Sequence, residues 1–314
     1  MKNNGSEAET RFSRPKQDLL DVLAAAAVRN AGARSRSSGR WVELGSSAVV
    51  FVSDDVVVRI SRQRAGVSEM QRSQALVDAL PVLPFEVPRS VGEPVEIDGY
   101  VAFPVRRLHG DPHPAGEGDP ARLRDLLDVI HSVDVSRFRD QLAPARQFAG
   151  GASWEAVLRE EVVPRLDRAL RDNARSRIDA LANLPESERS FNHGDLAGSN
   201  VLWSHGRVAG VLDWDLAAWD DPAEDVAALA SWHGWSLLPL IADPGTAARA
   251  AVFRRSFPLQ LIAFSIINDR PAEEISRTIA TAQQRMSEDA GSAVVPQSCA
   301  PSVPTGADSR YACR

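Results

Sequence analysis

Asp195, Asn200 and Asp213 are the side chains of this sequence whose types and spacing suit chemistry. They fall in one stretch, FNHGDLAGSNVLWSHGRVAGVLDWD, residues 191–215. An amide oxygen from Asn200 and a carboxylate from Asp213 are hard oxygen ligands, suited to Mg²⁺ with water and phosphate completing its shell. Asp195 precedes Asn200 by five residues, in the loop His193-Gly194-Asp195. From that loop a carboxylate approaches such a metal without binding it. Phosphoryl transfer calls for this arrangement: a metal across the β- and γ-phosphates, and an aspartate that accepts the attacking hydroxyl's proton. Any one of these acids alone reads as an ordinary turn residue. The joint pattern of H-G-D, the following asparagine and D-W-D carries the expectation.

A hairpin must position them. NVLW and VAGVLD are short apolar runs separated by Ser-His-Gly-Arg. A His205-Gly206 turn predicts pairs Ser204–Arg207, Trp203–Val208 and Asn200–Val211. Asp213 lies two residues beyond Val211, so Asn200 and Asp213 are expected on one face at the hairpin's open end. Around this core, residues 119–133, 153–171, 173–183, 222–234, 245–268 and 272–286 have helical patterns. The first hundred residues differ. A helix over 18–30 precedes WVELGSSAVVFVSDDVVVRISR, which predicts three strands joined by a Gly-Ser turn and a Ser53-Asp54-Asp55 turn. A helix over 68–80 follows, then two strands around Asp98-Gly99. The result is a five-stranded antiparallel sheet with one helix against it. HGDPHPAGEGDP (109–120) reads as a connector with little regular structure, and the polar stretch after Met286 as disordered.

Composition narrows the partners. The chain has 314 residues, net charge −6 and no basic run, which argues against a nucleic-acid footprint. Cys299 and Cys313 lie near the C-terminus, so neither a disulfide nor a thiolate metal site is expected to support the fold. No apolar N-terminal stretch reads as a signal peptide, and the run 259–267 is short for a membrane span. A cytoplasmic protein with no membrane and no obligatory protein partner is the expectation. The only lysines are Lys2 and Lys16. Any cation used within the fold must therefore be an arginine or a metal.

The 191–215 segment resembles the catalytic core of the aminoglycoside phosphotransferase family, antibiotic kinases related to choline and protein kinases. His193-Gly194-Asp195 with Asn200 matches its catalytic loop, Leu212-Asp213-Trp214 its metal aspartate, and Asp221-Pro222 with Asp225 its following helix start. The resemblance implies an α+β, protein kinase-like bilobal fold, with a small antiparallel sheet lobe and a larger helical lobe. It implies Asp195 as base, Asn200 and Asp213 as Mg²⁺ ligands, His193 and Asp225 as supports of the loop, and ATP or GTP as phosphoryl donor. Gly45, Ser46 and Ser47 match the phosphate-covering turn. Arg59 stands where the family's phosphate-gripping lysine belongs. Ser73 aligns with that lysine's glutamate partner, leaving Glu69, one turn earlier, as a substitute. Phe103, Pro104, Val105, Arg106 and Arg107 resemble the hinge whose backbone meets the nucleotide base.

On this reading residues 1–37 are an extension and helix, 38–107 the nucleotide-binding lobe, 108–286 the catalytic and substrate lobe, and 287–314 a tail. The expected reaction is transfer of a γ-phosphoryl group to a hydroxyl of a small molecule. An aminoglycoside comes first as acceptor and a macrolide second, with Asp215, Asp220 and Glu155 as candidate contacts to a cationic substrate. Trp214, Trp219, Trp232 and Trp235 are either an apolar substrate wall or core. Two alternatives stand beside this. One is a metabolic hydroxyl kinase acting on choline, homoserine or an amino sugar. The other is a catalytically silent nucleotide-binding module, suggested by Arg59 and Ser73.

Overall fold

The structure, a computed structural model, describes residues 13–32, 39–43 and 47–292. The chain divides into two compact units. The first comprises the chain up to Gln71 with Arg89–Arg107 and Arg270–Glu274; the second comprises Arg72–Pro88, Leu108–Asp269 and the chain from Ile275.

In the first unit, helix α1 (Gln17–Asn30) precedes strands β1 (Arg40–Val42), β2 (Ala48–Val52) and β3 (Val56–Ser61). Helix α2 (Val67–Ala79) begins there, and β4 (Val95–Ile97) and β5 (Tyr100–Arg106) complete an antiparallel sheet of order β1-β2-β3-β5-β4. Runs of β-branched residues favour this pleated surface. The turns are chemically specified. The Ser53 hydroxyl donates to the Val56 carbonyl at 2.7 Å. Asp98 and Gly99 hold φ of 52° and 75°, the left-handed pair of a two-residue hairpin turn. Leu20, Leu23, Ala24, Ala27 and Val28 of α1 recur at helical spacing and bury against Val49, Val58, Ile60 and Ala102 on one sheet face.

The second unit is mainly helical. Strand β6 (Asp111–Pro112) is followed by α3 (Pro120–His131), which Asp119 caps by accepting from the Ala121 N–H at 2.9 Å. The helix expected over 153–171 is broken. A short α4 (Trp154–Ala156) passes into a π-helical stretch Val157–Val162 and a single tight turn Val163–Arg165. Pro164 has no N–H to continue the ladder, and Leu166 is extended. Helix α5 (Arg171–Ala182) follows, then β7 (Ser190–Asn192), β8 (Val201–Ser204), β9 (Arg207–Val211) and β10 (Ala218–Asp220). The chain closes with α6 (Ala223–His233), α7 (Leu238–Ile241), α8 (Pro244–Ile267) and α9 (Ala272–Ser292). The connector expected to be irregular supplies β6, which pairs with β8. Helix α9 continues six residues past Met286, and that methionine and Ala282 are buried.

The core beneath the functional loops joins Leu126, Leu127 and Ile130 of α3 to Phe191, Trp214, Val226 and Phe253. Helix α8 is long and apolar enough to cross a bilayer by length and composition. Its Ala250, Phe253, Leu259, Ile262 and Ala263 are nevertheless buried in the protein core.

Candidate active site

The loop after β7 is held from below by α6. Asp225, fully buried in the first turn of that helix, accepts the backbone N–H of His193 at 2.8 Å and of Gly194 at 3.0 Å. His131 Nε2 of α3 lies 3.5 Å from the same carboxylate. Gly194 is required by geometry: its φ is +81°, and a Cβ there would stand 2.3 Å from the Leu216 carbonyl oxygen. His193 is also fully buried. Its Nδ1 accepts the Asp195 N–H at 3.2 Å, so its Nε2 carries the proton and donates to the Leu212 carbonyl at 2.8 Å. Both ring nitrogens are thus engaged in tying the catalytic loop to the end of the β8–β9 hairpin.

Asp195 is only partly exposed. Desolvation pushes its carboxyl above the usual carboxylate range, opposed by His193 and by the Asn200 hydrogen bond, with Asp225 and Asp215 adding to the rise. The Asn200 amide donates to both the Asp195 carbonyl, at 2.9 Å, and its Oδ2, at 3.1 Å. The Asn200 Oδ1 therefore remains the acceptor that a cation requires.

The hairpin has the expected turn pairs, Ser204–Arg207 and Trp203–Val208, but a bulge follows. Leu202 pairs with Gly210 and Val201 with Val211, so the Asn200 carbonyl receives the Leu212 N–H at 2.8 Å. The expected Asn200–Val211 pairing is thus displaced by one residue. The chain then corrects for the slip at Asp213, whose φ of 61° turns it out of the strand. Trp214 anchors that kink. It is buried, donates to the Val211 carbonyl at 3.0 Å and lies parallel to Phe191, ring centroids 5.9 Å apart. Asp213 stays exposed at the surface.

Trp219, Trp232 and Trp235 are half-buried, each against a neighbouring group. Trp232 donates to the His113 carbonyl and covers Gly198, where a Cβ would come within 2.0 Å of its ring. Trp235 lies under Arg254, and Trp219 under Arg139.

Of the candidate substrate acids, Asp220 is 8% exposed and lines a small cavity with Asn192, Gly194 and Glu224. Asp215 is half-buried, and its carbonyl accepts from Arg72 at 2.7 Å. Glu155 does not join them: it is bonded by Arg159, which also pairs with Asp179. Three neighbours of these acids stand out in the structure. Arg146 approaches Asp220 at 4.0 Å, Arg249 forks onto Asp221, and Glu224 is pushed up to about 8 by desolvation and then by Asp220. Sequence separation conceals the first two, and only burial distinguishes Glu224 from a solvated helix-start acid.

Within the first unit, Gly45 and Ser46 lie outside the described residues, and Ser47 is exposed. Arg59 pairs with Val50 on one side and Phe103 on the other, and shares its sheet face with the half-buried Val57. Glu69 is exposed and makes no ion pair among the described residues; Ser73 is buried. The hinge candidates Phe103 to Arg107 lie in and just after β5. The Pro104 carbonyl accepts from Val91, the Arg106 N–H donates to Arg89 and the Arg107 N–H to Asp55. Phe103 and Val105 are buried strand residues. These groups are committed to the sheet.

Residues 40–288 match the sequence profile of APH, the phosphotransferase enzyme family. Over 248 residues the chain is 38% identical to viomycin phosphotransferase from Streptomyces vinaceus, covering 71% of this chain and 85% of that protein. The GDP complex of aminoglycoside 2'-phosphotransferase-IIIa superposes with a TM-score of 0.72 at 17% identity, over 88% of this chain and all of that one. A macrolide 2'-phosphotransferase from Brachybacterium faecium gives 0.58 at 21% identity, over 84% and 97% of the two chains. The structural likenesses carry the bilobal kinase-like fold. The profile match and the viomycin phosphotransferase relative carry the family, and the protein belongs to the phosphotransferase enzyme family.

Proposed function

We propose that this enzyme transfers the γ-phosphoryl group of ATP or GTP to a hydroxyl of an antibiotic, with viomycin or a close analogue ahead of aminoglycosides and macrolides. The observation that carries the reading is the Asp195–Asn200–Asp225 geometry, found in a chain so similar to viomycin phosphotransferase. That relative moves viomycin ahead of the aminoglycoside favoured by sequence alone.

In this reading Asp195 is the general base. Asn200 fixes its Oδ2, leaving the other carboxylate oxygen to accept the acceptor hydroxyl's proton. Partial burial raises its proton affinity, which suits a base that must take a proton in the transition state. His193 is a positioning residue, because both its ring nitrogens are engaged. Asn200 Oδ1 and the exposed Asp213 carboxylate fit Mg²⁺. Among the described residues no three His, Cys, Asp or Glu side chains form an all-protein site. When bound, the ion would neutralise charge on the nucleotide phosphates. Arg59 is the candidate phosphate grip, with Val50, Val57 and Phe103 offering an apolar surface beside it. A guanidinium binds phosphate bidentately, where lysine acts as a point charge.

The test is acceptor-dependent ADP or GDP release by purified protein with Mg²⁺. The acceptors are viomycin, kanamycin, gentamicin, streptomycin, a macrolide, choline and homoserine, with the phosphorylated product identified by mass. Turnover on choline or homoserine alone would favour the metabolic alternative. Nucleotide binding without turnover on any acceptor would favour the silent module.

A further inference from the structure

The segment between β9 and α6 concentrates acids, but they are not equally satisfied. Asp221 is matched by the Arg249 fork, and its Oδ1 caps the Ala223 N–H at 3.0 Å. Asp225 receives two backbone N–H groups and faces His131. Asp220 and Glu224 remain, opposed by one guanidinium, Arg146. The Asp220 carboxylate is buried, and its Oδ2 has no hydrogen-bond partner; Arg146 Nε stands 4.0 Å away. No described side chain hydrogen-bonds the Glu224 carboxyl. Arg146 itself is constrained. Its backbone has a φ of 57°, and its guanidinium lies 4.6 Å from the Trp154 ring centroid and 5.6 Å from that of Phe253.

These side chains enclose a cavity lined by Arg146, Phe148, Asn192, Gly194, Asp220 and Glu224, with room of ≈ 10 Å³. That is the space of roughly one water molecule. Asn192 offers it little, since its amide N–H donates to the Asp221 carbonyl and its Oδ1 accepts from Ser190. Phe148 stacks on Phe264, rings 4.4 Å apart, and closes the cavity with an apolar wall. A buried carboxylate oxygen without a donor is costly, so the cavity calls for a donor.

We propose that Asp220 and Glu224 form a subsite for one primary ammonium group of the acceptor, an inference that rests on the antibiotic-kinase reading above. An ammonium is about the size of a water molecule and carries three N–H donors for the two carboxyls. A guanidinium is planar and larger, and would have to displace Arg146. Gly194 lines the cavity and precedes Asp195 in the chain, so an ammonium seated there fixes the acceptor relative to the base. This is uniform binding, drawn from a part of the acceptor that does not react and felt in KM. Burial and the neighbouring Asp220, Asp221 and Asp225 raise Glu224 to about 8, against the pull of Arg146. An arriving ammonium favours the ionised form, so binding releases a proton near neutral pH.

The experiment compares viomycin before and after treatment with acetic anhydride, which caps primary amines, on wild type, Asp220→Asn and Glu224→Gln. In wild type acetylation should raise KM by about ten- to a hundredfold, the range of a charge-assisted hydrogen bond, with kcat nearly unchanged. In each variant KM for untreated viomycin should rise and the acetylation penalty should shrink. Wild type that accepts acetylated viomycin equally well overturns the subsite, as does an unchanged penalty in both variants. If wild type phosphorylates none of the antibiotics, the functional reading has failed instead, and the subsite is judged by thermal unfolding. Methylammonium chloride should then raise the wild-type melting temperature above tetramethylammonium chloride at equal ionic strength, and both variants should abolish the difference. Equal effects of the two salts on wild type overturn it.

Discussion

At the scale of single residues, the proposed roles separate by what each side chain does to ground and transition states. Asp195→Asn should lower kcat by about 10²- to 10⁴-fold, the usual reach of general-base catalysis, while leaving nucleotide affinity intact. Isotopic transfer assays and calorimetry check the two halves, and a loss under tenfold would remove Asp195 from the base role. Asp213→Ala should instead weaken Mg²⁺-dependent nucleotide binding and turnover together, because its carboxylate is assigned to a cation that bridges phosphates in both states. Unchanged Mg²⁺ titration of binding would place the ligand elsewhere. These two aspartates were candidates in the sequence because their spacing is local: a turn and a strand pair. Arg146 and Glu224 were not. They meet only through folding across 78 positions, and no local pattern tells that Glu224 faces the same cavity as Arg146.

At the scale of elements, the strands are marked in the sequence by strong turn chemistry, Asp98-Gly99 and His205-Gly206 being the clearest. The β8–β9 bulge is not, because nothing in VAGVLD marks an unpaired residue before the backbone is seen. Nor is the β7–β10 pairing, Asn192 to Ala218 and Ser190 to Asp220, since two three-residue strands lack enough alternation to announce themselves. That small ribbon matters because it fixes the loop at one end while α6 fixes it from below. The contribution of α6 can be tested through Asp225. Asp225→Asn keeps the shape but replaces one acceptor oxygen by a donor beside the His193 and Gly194 N–H groups. We expect kcat to fall by more than tenfold at nearly constant nucleotide affinity, and stability to drop by about 1–3 kcal/mol for the buried N–H group left unpaired. Amide exchange should quicken at His193 and Gly194. Wild-type exchange with reduced activity would show that Asp225 acts other than by holding the loop.

At the scale of the molecule, the sequence pattern changes near residue 108, because strand-rich and helix-rich stretches differ in period and in turn density. Less visible was that Arg72–Pro88 belongs to the helical unit, since α2 carries no marker at that division. One consequence reaches global stability. Glu224 has an ordinary carboxyl in the unfolded chain and one raised to about 8 in the fold. Between those two values the unfolded state is ionised while the folded state holds the proton. The folded state therefore binds more protons, and stability falls as pH rises through that window. Below the unfolded value the contribution is fully present; above about 8 it is lost and the curve levels. Glu224→Gln lacks the titration. Its urea midpoint relative to wild type should rise progressively from pH 5 to 8.5, by an amount worth a few kcal/mol at most, because a tenfold change in proton affinity is worth about 1.4 kcal/mol and partial solvent contact lessens it. Saturating viomycin should flatten the wild-type slope if its ammonium keeps Glu224 ionised in the complex. Parallel pH curves for wild type and Glu224→Gln without ligand would show that Glu224 is already ionised in the fold. The proton release attributed to ammonium binding would then have no source, while the KM comparison of treated and untreated viomycin would still decide the subsite itself.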